Sequence, residues 1–196
     1  LNTIFLGLIA ISLFTYSTVK ITFPNGFGID QASPVSKLDV NGNATIGSSY
    51  SGANAAPTDG ALVEGDVGIV VTSPNTKIDI EGDIAFREYT QDIGTNGGTN
   101  KFDDLAINTD YSFIRLTGPD GNFEITGISG GVEGRVLYLY NATENDMKFK
   151  FDDSLSSAAN RFYSYDESDN IVKRRGIAML IYSAADSRWI VGSKAG

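Results

Sequence analysis

Carboxylate clusters are the chain's only acid–base resource: Asp152-Asp153, and Asp166-Glu167 followed by Asp169. Glycoside hydrolysis needs two carboxyl groups about 5–9.5 Å apart across a cleft. These clusters fall in turn-rich stretches, where neighbouring side chains diverge or face solvent. Solvated turns are therefore the expected reading. There is no cysteine and no histidine among the 196 residues. That excludes disulfides, thiolate nucleophiles, Ser-His-Asp and Cys-His catalysis, and zinc sites built on His or Cys. Composition allows a Ser-Lys dyad, but no motif marks one.

Other groups suit binding better than catalysis. Asp39–Asn43, Asp79–Asp83 and Asp166–Asn170 are rich in side-chain oxygens. None has the twelve-residue calcium-loop spacing with its closing Glu, and Asp and Asn are ordinary turn residues. Lys173-Arg174-Arg175 is a basic run in an acidic chain. It reads first as a charged hairpin edge and second as a site for acidic surface polymers. Asn141-Ala142-Thr143 is a glycosylation sequon only in a eukaryotic secretory route. Tyr163 and Tyr165 would share one face of a strand over 161–165, with Phe162 turned inward. They flank the polar loop 166–170, an arrangement that suits a sugar, whose faces are apolar and whose hydroxyls need partners. A core or interface role for these tyrosines competes with it. No catalytic, cofactor-binding or metal-binding residue is assigned, and no cofactor is expected.

The elements that position these groups read as short strands. The clearest signal is a self-match at an offset of 40 residues. The first copy runs Gly28-Ile29-Asp30-Gln31-Ala32-Ser33-Pro34-Val35-Ser36-Lys37-Leu38-Asp39-Val40-Asn41-Gly42. The second runs Gly68-Ile69-Val70-Val71-Thr72-Ser73-Pro74-Asn75-Thr76-Lys77-Ile78-Asp79-Ile80-Glu81-Gly82. Ser-Pro sets an extended or turn dipeptide. Lys-Leu-Asp-Val and Lys-Ile-Asp-Ile alternate polar and apolar, the period of a half-buried strand. Asn-Gly and Glu-Gly then turn the chain, and Ala44–Ile46 and Ile84–Phe86 are expected to resume strands. Each copy presents only a narrow apolar edge, which must stack on copies from other chains. Leu38, Val40, Ile78 and Ile80 are the expected interface residues.

This Gly-Ile-x3-Ser-Pro-x2-Lys-Leu-Asp-Val-x-Gly pattern resembles the shaft repeat of bacteriophage tail fibres and related bacterial surface fibres. Ala56–Ile69 looks like that family's connector between repeats, so the resemblance covers about residues 26–88. It implies a trimeric, intertwined β-fibre. Many relatives end in a self-cleaving endosialidase-type chaperone, and nothing here resembles that domain. Val70-Val71 departs from the small residues usual after Gly-Ile.

Beyond the Gly/Asn/Thr run Gly94–Asn100, strands are expected at 111–116, 122–128, 135–141, 147–151, 161–165, 171–173, 177–182 and 188–191, separated by turn clusters. That spacing suggests a sandwich or jelly roll. Gly134–Leu137, Ala159–Phe162 and Ser187–Val191 more loosely resemble the small β-domains at fibre tips. Val136-Leu137-Tyr138-Leu139-Tyr140 is apolar on both faces, so both must be covered. Val136, Tyr138 and Tyr140 are expected at a subunit interface or ligand, with a covering loop of the same chain as the alternative.

At the start of the chain, Ile4–Phe14 is apolar apart from Gly7 and Ser12. Eleven residues are too few to span a bilayer. The segment reads either as the core of a secretory signal, cut near Ser17–Thr18, or as a retained piece buried in lipid or between subunits. Membrane contact is expected only through residues 1–17. Net charge is −9 overall, with −7 on residues 24–103 and −3 on 104–196. Such a chain repels phosphate backbones, so nucleic acid is an unexpected partner.

The resulting expectation is an all-β chain. Residues 1–23 form a hydrophobic signal or assembly segment, 24–93 a short trimeric shaft of two repeats, 94–103 a linker, and 104–196 a β-sandwich or jelly-roll head. Its function would be structural and adhesive, outside the cell, on a phage or phage-like particle, with a homotrimer and a surface glycan as partners. A bacterial extracellular filament subunit polymerising through residues 1–17 is the alternative. A polysaccharide-degrading fibre enzyme is disfavoured.

Overall fold

Short alternations broken by Gly, Pro and Asn favour brief strands, and the computed structural model is built from them. It describes residues 27–29, 36–95 and 99–195. The hydrophobic segment 1–23 and most of the first repeat's crossover lie outside the described residues. The described chain is all-β apart from one 3-10 turn at Ala158–Asn160. Among the described residues no helix is long and apolar enough to cross a membrane. The chain divides into two compact units between Asp83 and Ile84.

The described residues of the first unit form three parallel pairs of three-residue strands: β1 (Phe27–Ile29) with β2 (Leu38–Val40), β3 (Ala44–Ile46) with β4 (Ala61–Val63), and β5 (Val67–Ile69) with β6 (Ile78–Ile80). The 40-residue repeat holds down to the register. Gly28 faces Asp39 as Gly68 faces Asp79. Asn41 N–H donates to Ile29 O at 2.9 Å, as Glu81 N–H donates to Ile69 O at 3.0 Å.

Local physics explains the signature. Parallel strands ordinarily need a crossover of about a dozen residues or more. Here β5 and β6 are joined by eight, residues 70–77. The crossover folds directly onto β5, so a Cβ on Gly68 would lie 2.2 Å from the Val71 carbonyl oxygen. Asp79 accepts the Asn75 N–H at 2.8 Å and pins the far end of the loop. Gly82 follows at φ +156° and Gly42 at φ +129°, conformations that favour glycine. Val70 takes φ 66°, a costly choice for a β-branched residue.

Ile84–Phe86, expected as the next strand, has no ladder partner. In the first repeat the equivalent β3 pairs seventeen residues downstream, at Ala61. The matching position in the second repeat is Lys101, which pairs with Glu124 instead.

The second unit has two sheets. The larger is ordered β13 (Phe162–Tyr163), β16 (Arg188–Ala195), β15 (Ile177–Ser183), β11 (Val136–Asn141), β9 (Phe113–Thr117), β7 (Glu88–Asp92). The smaller is ordered β14 (Asn170–Val172), β12 (Met147–Phe149), β10 (Phe123–Ile125), β8 (Lys101–Phe102). All eight strands expected beyond residue 104 are present in whole or part. Their connections differ from a jelly roll. β7, β9 and β11 stack in parallel, as do β8, β10 and β12, each coil advancing 23 to 25 residues. From β7 to β15 the chain passes from one sheet to the other at each turn cluster, so those turns link layers, and only the turn 184–187 closes a hairpin, between β15 and β16. The result is a short solenoid-like stack, closed by the antiparallel β14 on one sheet and β15 and β16 on the other. β7 and β8 fall in stretches read as shaft end and linker, and their ladders place them in this unit.

Alternation builds the core. Ile114, Leu116, Leu137, Leu139, Ala178 and Leu180 from the larger sheet meet Phe123, Ile125, Met147 and Phe149 from the smaller. Trp189 is fully buried, edge-on to Tyr182, and its indole N–H donates to Ile128 O at 2.8 Å.

Candidate interaction surfaces

The first-unit residues singled out by sequence as an interface lie at the surface of the single chain. Leu38 and Ile78 are 61% and 66% exposed, and Val40 and Ile80 are half-buried. Among the described residues of the first unit, Ala56 is the one buried apolar side chain. The described part of this unit is held by backbone pairing and polar ties. Asn43 donates to Ala56 O at 3.0 Å, and Lys77 pairs with Asp66 at 2.8 Å. Glu64 accepts the Ser49 N–H at 2.8 Å, and that bond holds its carboxyl below the ordinary value.

In the second unit Leu137 and Leu139 of β11 enter the core, while Val136, Tyr138 and Tyr140 turn outward and are half-buried. Tyr138 lies 5.9 Å from Phe86 between ring centroids, and the Arg115 guanidinium lies 5.8 Å from the Tyr140 ring centroid. Phe86, Phe113, Tyr138 and Ile177 line an open apolar depression of about 310 Å³. Sequence reading stopped at β11. The signal for more was present in β15, where Ile177 to Tyr182 is apolar at every position and so on both faces.

Tyr163 and Tyr165 do not share a strand face. β13 ends at Tyr163, and Tyr165 stands fully exposed in the following turn. Phe162 is buried, as expected. Tyr163 stacks on Phe151 with centroids 5.8 Å apart, and the Arg188 guanidinium lies 4.9 Å from its ring centroid. Phe151, Asp152, Tyr163, Ser164 and Glu167 line a depression of about 340 Å³.

The carboxylate clusters are engaged in structure. Asp152 meets Arg188 at 2.9 Å and Arg161 at 3.6 Å, and Asp153 meets Lys101 at 3.5 Å. Burial pushes the Asp169 carboxyl up, but the hydrogen bonds from Lys150 and the Phe151 N–H outweigh it and hold it below the ordinary value. Asp104 follows the same logic: burial opposes, while bonds from Asn160 and Ser157 win. Asp166 is held low by Ser168 and Ser164. Within the basic run, Lys173 pairs with Asp146 at 2.8 Å and Arg175 with Glu144. Among the described residues no three acidic side chains gather where a metal ion could bind. The sequon residue Asn141 is fully buried, and its amide donates to Asn145 O at 2.8 Å. It shapes a turn and offers no glycosylation site.

Comparison of the chain with family models, curated proteins and solved structures returned no match.

Proposed function

We propose that the chain is a structural subunit of an extracellular fibre, a homotrimer whose first unit forms a short shaft and whose second unit is an adhesive β-head. The supporting observation is that the described residues of the first unit bury one apolar side chain, Ala56. Ordering a chain costs about 1–2 kcal/mol per residue in backbone entropy, and each fully buried aliphatic side chain contributes about 1.5–3 kcal/mol. One buried alanine among the described residues does not balance those terms alone. Isolated two-stranded sheets are marginal at best. Copies packed edge to edge along Leu38, Val40, Ile78 and Ile80 supply the missing burial. Three as the number of copies comes from the resemblance of the repeat to phage and bacterial fibre shafts.

The head would attach the particle to a surface glycan. The Phe151–Tyr163 stack and the free-standing Tyr165 supply apolar ring faces beside the polar 164–169 turn. The role is binding rather than catalysis, on a phage or phage-like particle outside the cell. The apolar run Ile4–Phe14 favours a second reading, a bacterial filament subunit that polymerises through that segment. Light scattering of the full chain tests the proposal: a trimer mass supports it, and a stably folded monomer refutes it. Open-ended polymers lost on removal of residues 1–17 would select the filament reading.

A further inference from the structure

The two sheets of the second unit present opposite kinds of outer face. Across the smaller sheet the outward row is Lys101, Glu124, Lys148 and Ile171, in ladder register and alternating in charge, with Lys148 and Glu124 paired at 3.0 Å. That is a face made for water. Across the larger sheet the outward positions of β9, β11 and β15 include Phe113, Val136, Tyr138, Ile177, Met179 and Ile181 with Arg115 beside Tyr140, and none is a carboxylate; Glu88 and Asp92 stand at the rim of this face on β7. A contiguous apolar face of this kind marks an interaction surface.

We infer that a second copy of this chain covers the outer face of the larger sheet. The inference rests on the proposed oligomer and extends its contact from the shaft into the head. Two observations choose the occupant. A chain of net charge −9 repels its own copies. The central strands of the larger sheet form a broad surface free of carboxylates, and copies meet there without juxtaposing them. Second, Ile80 and Phe86 are six residues apart, a reach of about 20 Å at most. Copies joined through their shaft strands therefore hold their second units at high effective concentration, so that even a weak apolar contact forms.

Ile177 on the larger sheet and Ile171 on the smaller are each 41% exposed in the single chain, which makes them a matched pair. The test uses the full chain carrying Ile177→Lys or Ile171→Lys, followed by sedimentation over a dilution series. The near-ultraviolet signal of Trp189 reports folding. Ile177→Lys is expected to raise the concentration of half-dissociation by about tenfold or more, from the lost burial of one aliphatic side chain. Ile171→Lys is expected to leave it unchanged. Equal behaviour of the two in a chain that assembles overturns the inference and leaves the shaft reading intact.

Should Ile177→Lys disturb folding, Ile177→Cys and Ile171→Cys supply unique thiols in a cysteine-free chain. With the chain assembled, the Ile177→Cys thiol is expected to react with a maleimide about tenfold slower or more, and dilution to single chains should equalise the rates. Equal rates in the assembled chain overturn the inference alone. Shielding that persists in single chains overturns it in favour of a segment of the same chain. A wild-type chain that never assembles overturns both readings.

Discussion

Ile78 in the first unit and Ile114 in the second are both strand isoleucines, yet one is 66% exposed and the other fully buried. The difference lies in what surrounds the strand. Among the described residues, β6 pairs with one three-residue neighbour and faces no second sheet. β9 lies between β7 and β11, and its inward side meets the residues of β10 and β12. Local encoding is strong in the first unit and burial is weak; in the second the balance reverses. A unit whose turns are specified residue by residue can hold its register with little burial, and under the proposed assembly it draws its stability from other copies. A unit with a shared core tolerates looser specification.

The largest separation between the units should come from truncating their apolar side chains in the full chain. Trp189→Ala removes a fully buried indole and its hydrogen bond to Ile128, and should cost the second unit about 3–5 kcal/mol. The loss, followed by thermal melting, should not depend on protein concentration. Ile78→Ala should act through assembly, so its effect should grow on dilution.

Gly68→Ala comes next. Its methyl would meet the Val71 carbonyl oxygen, and moving the crossover should cost about 1–3 kcal/mol in the first unit alone. Val70→Asn should act in the opposite sense. Asn tolerates the left-handed conformation that Val70 holds at φ 66°, so the first unit should gain about 1 kcal/mol. Chemical denaturation with separate probes for the two units would read both.

The smallest effect is electrostatic. The folded Asp169 carboxyl titrates below its ordinary value of 3.8, so its contribution to the second unit is fully present above that value. It is lost as pH falls through the lower folded value. Asp169→Asn should flatten the acid limb of the second unit's stability by under about 1 kcal/mol, the scale of a partly exposed pair. The first unit should not respond.

The same contrast explains what was legible in the sequence. The 40-residue repeat could be read because Gly68, Asp79 and Gly82 each do a local job that few residue types can fill. The 23 to 25-residue coils escaped notice because their core rows, such as Phe102, Ile125 and Phe149, need only be apolar and of suitable size. The strands beyond residue 104 were legible by alternation, but their partners were not, since turn residues mark a change of direction without saying which layer follows. Tyr165 was placed by extending the alternation past Tyr163, where the strand ends. The outward apolar set was read on β11 and missed on β15, although both strands carry it in plain view.

Hydrogen exchange of the full chain against concentration tests most directly whether the first unit owes its order to other copies. The N–H groups of Glu64, Val67 and Glu81 report the first unit, and those of β11 and β15 report the second. Above the assembly concentration both sets should be protected. Below it, the first set should lose protection together while the second keeps it. A monomer that protects Val67 and Glu81 as well as it protects β11 would contradict the account.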